Sequence, residues 1–267
     1  MKTSRGFTLM EMIIAMVITG ILAAVVAVFI AGPVAGYVDT ARRAELTDMA
    51  DLALKRMALE IRTAVPNSVY WVSTKPDEIE FIPARTGGRY CTDLETGCNA
   101  LGFGVAGDTF SALGPPPPTC AAPAAITVVQ GEQVVVYNTG QSDLDAYSGS
   151  NRRSLTGASL NGTALTLSPA EQCADELTLG GTALTYASPS SRFQLVPSTG
   201  PVKFRCSGSE LRRYTGYGWT HTEAGSGALL VSTDSVPIYC AFTYNAISAA
   251  NGLVSLTLTL TDRKSVV

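Results

Sequence analysis

Arg5-Gly-Phe-Thr-Leu-Met-Glu-Met-Ile-Ile-Ala-Met-Val-Ile-Thr-Gly-Ile-Leu-Ala-Ala-Val-Val-Ala-Val-Phe-Ile30 is the stretch on which the reading of this chain turns. Between Phe7 and Val38 it carries one charged side chain, Glu11. As a helix, the run from Phe7 to Ile30 is about 36 Å long, enough to cross a hydrocarbon core of ~30 Å. Lys2 and Arg5 precede it, and the next basic residues are Arg42 and Arg43. That asymmetry predicts a cytoplasmic amino end and an exported body. A secretory signal fits poorly, because Ala23-Ala24-Val25 imitates a cleavage site but no polar mature start follows. A carboxylate in hydrocarbon costs roughly a few kcal/mol, so Glu11 calls for a partner.

Outward from this run, Ala31-Gly32-Pro33-Val34-Ala35-Gly36 weakens the helix, through a lost hydrogen bond at Pro33 and the backbone entropy of the glycines. An amphipathic helix is predicted from about Thr40 to Thr63. Leu46, Met49, Ala50, Ala53, Met57 and Ile61 form its apolar stripe, and Pro66 ends it. Strand signals follow. Val69–Val72 and Glu78–Ile82 read as a hairpin across Lys75-Pro76-Asp77, and Ile126–Val129 and Gln133–Tyr137 as a second one across Gly131-Glu132. Arg192–Val196, Val202–Cys206, Glu210–Tyr214, Pro237–Tyr244 and Leu253–Thr261 read as further strands. In the last, Val254, Leu256, Leu258 and Leu260 alternate with Ser255, Thr257, Thr259 and Thr261, as in a half-buried strand covering the helix. The fold class is α+β, one long helix with an antiparallel sheet. Leu113-Gly-Pro-Pro-Pro-Pro-Thr119 predicts a stiff polyproline loop, and Thr139–Thr166, rich in Gly, Ser and Asn, a looser region.

Composition narrows the function. A net charge of -3 over 267 residues, with no basic cluster, argues against nucleic acid as a partner. One histidine, no G-x-S-x-G and no P-loop leave little for catalysis, so no enzyme, catalytic residue or cofactor is expected. His221 reads as a turn-side residue, and the aromatics from Tyr214 to Trp219 as strand packing rather than a carbohydrate surface. Asp143-Leu-Asp145 meets no calcium-loop spacing, so no metal is expected. Six cysteines in an exported region read as disulfides, with 15 connectivities open. Cys206 and Cys240 flank neighbouring predicted strands and form the best pair, worth about 3.5–4 kcal/mol on the chain-entropy account. Cys91 with Cys98, and Cys120 with Cys173, then follow.

Arg5-Gly6-Phe7-Thr8-Leu9-Met10-Glu11 resembles the GFTL-x-E processing site of type IV prepilins and type II secretion pseudopilins. The resemblance implies that prepilin peptidase cuts between Gly6 and Phe7 and methylates the new amine of Phe7. Glu11, fifth after the cut, is then the assembly carboxylate that meets the amine of a neighbouring subunit, or else pairs with the Phe7 amine of its own helix. Gly20 lies where the family often has a helix glycine. The implied fold is pilin-like. Residues 1–6 form the leader, 7–36 the transmembrane and assembly helix, 37–65 its amphipathic half, and 66–267 a disulfide-containing, β-rich periplasmic domain.

Implied partners are prepilin peptidase, other major and minor pilins, the inner membrane and the assembly platform. The implied place is the bacterial inner membrane in a single pass, with incorporation into a pilus. Residues 51–69, Arg192–Val196, 211–218 and 252–262 resemble minor pilins of mannose-sensitive haemagglutinin (MSHA) pilus biogenesis, which implies initiating or capping a filament. A larger minor pseudopilin of type II secretion and a pilin-mounted adhesin remain as alternatives.

Overall fold

The computed structural model describes residues 8–114, 117–121, 125–233, 237–248, 251–262 and 265–266. Pro115 and Pro116 of the proline run lie outside them. The chain divides into two compact units, one of residues up to Met49 and one of Ala50–Val266. Helix α1 runs from Leu9 to Arg62 without a break, and Pro33 lies inside it. The weak point read at 31–36 therefore does not interrupt the helix of the free chain. From Thr8 to Val38 every side chain is exposed, and this is the one helix among the described residues long and apolar enough to cross a membrane. Its threonines suit that setting: the hydroxyls of Thr19 and Thr40 donate to the carbonyls of Ala15 and Gly36, at 2.7 and 2.9 Å. No partner outside the helix is then needed.

In the second unit, Ala53 and Met57 of the predicted stripe are buried, with Ala50 and Ile61 half-buried. Leu52 and Leu59, on the other side, stay exposed.

Seventeen strands follow among the described residues. They are β1 (Glu78–Phe81), β2 (Thr86–Tyr90), β3 (Thr109–Leu113), β4 (Ile126–Val128), β5 (Gln133–Val136), β6 (Arg152–Leu160), β7 (Thr163–Leu165), β8 (Gln172–Ala174) and β9 (Glu176–Leu179). Then come β10 (Arg192–Val196), β11 (Val202–Ser207), β12 (Glu210–Thr215), β13 (Ala228–Ser232), β14 (Tyr239–Ser248), β15 (Asn251–Thr259), β16 (Thr261–Asp262) and β17 (Ser265–Val266).

The expected antiparallel sheet is present as β1-β11-β12-β13. Opposite charges face each other across it, Glu78 on Arg205 and Glu80 on Lys203, an arrangement that favours this register.

The expectation of one sheet is incomplete. Strands β5, β10, β2, β3, β9 and β6 pair in that order, and β6 pairs back to β5, closing a barrel with β7 alongside. All of its pairings are antiparallel. Closure depends on β6, whose register shifts between Leu155 and Gly157. Its first residues pair with β5 and its later ones with β9. The barrel core holds Tyr90, Phe110, Phe193, Leu155, Leu177 and Leu195 among others. Phe110 meets Tyr90 and Phe193 edge-on, with ring centres 6.5 and 5.2 Å away, the geometry that aromatic quadrupoles favour. One glycine is fixed by packing: a Cβ on Gly87 would stand 2.5 Å from the Phe193 carbonyl oxygen on β10.

Two hairpin expectations change. Tyr70 makes only an isolated bridge to Glu80, so no strand forms over Val69–Val72. Strand β4 pairs with β8 rather than β5, which is claimed by β10 and β6. The region 139–166, expected to be looser, contains β6 and β7. The barrel strands lie between β1 and β11, two neighbours in the sheet, so the barrel is an insertion into that sheet.

Candidate functional site: the head of the helix

Gly6 and Phe7 lie outside the described residues; the geometry begins at Thr8. The Thr8 carbonyl accepts the Met12 amide at 3.2 Å, which makes Thr8 the cap of α1. Its hydroxyl accepts the Glu11 amide at 3.3 Å. The Glu11 carboxylate reaches back in turn, with Oε2 accepting from the Thr8 amide and hydroxyl at 3.3 Å each. Ser or Thr at the cap with Glu three residues on is a capping box, which satisfies two amide donors that a helix start otherwise leaves free. Glu11 is exposed, and the hydrogen bonds of its carboxylate among the described residues are both with Thr8. Thr8 thus has a role that was not read from the sequence, although its signal, T-x-x-E ahead of an apolar run, was there.

A second polar cluster lies in the other unit. The loop between β12 and β13 brings His221 onto Tyr70, with rings stacked 3.9 Å apart, and its Nδ1 stands 3.0 Å from Glu80 Oε1. Glu80 and Lys203 are buried, and Lys203 Nζ lies 3.4 Å from Glu80 and 2.9 Å from Glu223. Arg205 also bonds Glu223. Burial pushes the Glu223 carboxyl up, but the hydrogen bonds and charges of Lys203 and Arg205 outweigh that and hold it at about 2. Burial, with the Glu80 charge, pushes the Tyr147 and Tyr217 hydroxyls well above the usual phenol range.

Trp219 takes the Arg152 guanidinium on its face at 3.7 Å and meets Tyr147 edge-on. Tyr147 and Arg152 belong to the β5–β6 connection and β6, while Glu80 and Lys203 belong to the sheet. The aromatic loop therefore clasps the barrel onto the sheet. Two of its aromatics, Tyr217 and Trp219, are half-buried by this packing rather than displayed.

The six cysteines form three disulfides, Cys91–Cys98, Cys120–Cys173 and Cys206–Cys240. The first two belong to the barrel region, and the third ties β11 to β14. Glu95 stands close to Cys91 and Cys98, but their sulfurs are bonded to each other, so no thiolate pair is offered to a metal. The Asp145 carboxylate is occupied by the amides of Tyr147 and Ser148, which makes it a turn anchor.

The family model for the prokaryotic N-terminal methylation motif matches residues 1–27. Searches of curated proteins and of solved structures each found no match. The matched segment contains Gly6, Phe7, the Thr8–Glu11 cap and most of the apolar run. This amino-terminal signal, heading one long apolar helix, supports the type IV pilin and pseudopilin family for the chain, with prepilin peptidase and other pilins as the partners such a signal implies.

Proposed function

We propose that the chain is a minor, non-enzymatic subunit of an MSHA-type type IV pilus, and that it initiates or caps the filament. The observation that carries this reading is the methylation motif at the head of an exposed apolar helix with a single carboxylate at its start. Removal of the leader leaves an amine on Phe7. Once apolar helices pack together, that amine and the Glu11 carboxylate of a neighbour are both withdrawn from water. Two charges that are each costly to bury offset one another only when docked.

The globular domain stands on the periplasmic side in this reading. The resemblance of the later segments is to the MSHA biogenesis protein MshO, and of the barrel strands it takes in β10 alone. A sheet with a barrel inserted between two of its strands favours an end position, because a repeating subunit gains nothing from so large an insertion. The same barrel is what a pilin-mounted adhesin needs, and it keeps that second reading in play.

Quantitative mass spectrometry of sheared filaments, from cells carrying the wild-type chain or Gly6→Val, tests the proposal. The wild type is expected in the filament fraction at a small fraction of the major subunit, and Gly6→Val only in membranes. A wild-type chain confined to membranes while pili are abundant contradicts the reading.

A further inference from the structure

Strands β14 and β15 form a hairpin whose register runs from Tyr239↔Thr259 to Ser248↔Asn251. The inner strand is held by the domain: Ile238 and Phe242 donate their amides to the carbonyls of Gly208 and Pro76, each at 2.8 Å, and Cys240 is bonded to Cys206. The outer strand is not. Among the described residues β15 pairs with β14 alone. About every second residue along its far edge therefore presents an amide and a carbonyl to no strand.

Among the described residues, the edge strands outside this hairpin are short, five residues in β13, four in β1 and three or fewer in β4, β7, β8, β16 and β17, and the barrel has closed on itself. Soluble proteins blunt a long edge with a charge, a proline or a bulge. Asn-Gly-Leu-Val-Ser-Leu-Thr-Leu-Thr has no charge and no proline, and the hairpin's register irregularity sits at its turn end, between Ala246 and Ser248. A nine-residue, uncharged, β-favouring edge is a template for another strand.

The sequence of the edge indicates which strand. Read antiparallel to itself about Leu256, β15 sets Val254 opposite Leu258 and Ser255 opposite Thr257. Directly opposed residues share a face, so apolar meets apolar and hydroxyl meets hydroxyl, both favourable cross-strand pairs. The faces also match those of the folded chain: Val254, Leu256 and Leu258 are half-buried, while Ser255 and Thr257 are exposed. Such a contact is closed by a two-fold axis and leaves no further edge.

We propose that β15 is a self-association edge, on which a second copy of this chain docks strand to strand to make a four-stranded β14-β15-β15-β14 sheet. The proposal does not depend on leader processing or on the filament reading.

The test uses the full chain purified in detergent, with its mass measured by light scattering across a dilution series. The wild type is expected as a dimer that dissociates on dilution. Ser255→Lys with Thr257→Lys, placed on exposed positions, should need at least tenfold more protein to dimerise, whereas Ser255→Thr with Thr257→Ser should behave as wild type. Amide exchange of residues 251–259 in the wild type provides a readout without any variant, and should quicken as the dimer is diluted. A wild-type monomer at tens of micromolar, a Lys variant that still dimerises, concentration-independent exchange, or capture of another pilin on this edge instead of a second copy would each overturn the proposal.

Discussion

One substitution can separate the capping role of Glu11 from the assembly role proposed for it. In the single chain its carboxylate closes a capping box with Thr8. Glutamine also serves at that position of a capping box, so Glu11→Gln keeps the cap and removes the charge, whereas Glu11→Ala loses both. If the charge meets a neighbour's amine, Glu11→Gln should be processed normally yet fall at least tenfold in the sheared-filament fraction, measured by quantitative mass spectrometry. Wild-type incorporation of the glutamine variant would leave Glu11 with the capping role alone. A second residue-scale expectation concerns acid. Glu223 titrates at about 2 in the folded chain, below its ordinary value of 4.5. Between those values the unfolded chain binds the extra proton, so stability falls as the pH drops. The loss is on the order of 2–3 kcal/mol, complete below pH ~2, and should be absent from Glu223→Gln. Urea midpoints at pH 5 and pH 2.5 for the two proteins measure it.

Among the elements, the barrel is sensitive to a single added methyl group where β2 meets β10. Gly87→Ala sets a methyl group 2.5 Å from the Phe193 carbonyl, a clash that overpacking data put at about 1–3 kcal/mol. The urea midpoint should drop accordingly. Several strands of the barrel were hard to read in the sequence, for stated reasons. Helix α1 was legible from its apolar run and its later stripe, β10, β11 and β12 as short strands set off by turn residues, and β15 from its alternation. Thr-Gly-Gly-Arg-Tyr in β2 carries no strand signal of that kind, and the Gly- and Ser-containing β6 falls in the stretch that read as a looser region. Strands β4 and β5 are separated by a turn signal that resembles a hairpin, but the chain pairs each with a distant partner. Register to a strand far along the chain leaves no local trace. At the head of the helix, Gly6, Phe7 and Glu11 lie within the segment that the methylation-motif model matches, and the cap supplied by Thr8 was not read.

For the molecule as a whole, a helix-and-sheet framework and an inserted barrel answer different demands. The sheet strands β1 and β11 remain neighbours although the barrel intervenes between them in the chain, and the loop of Tyr217, Trp219, His221 and Glu223 joins the two parts. Such an insertion gives the chain a surface that the framework alone lacks, while the amino-terminal helix carries the methylation motif and the exposed apolar run. In the proposed function that helix is uncovered by a single cut and then serves as a filament element. The most direct measurement is the intact mass and amino-terminal sequence of the chain extracted from membranes of cells that make the peptidase. The expected product begins at Phe7 and carries one methyl group on its amine; a chain that still begins at Met1 or Lys2 would contradict the account.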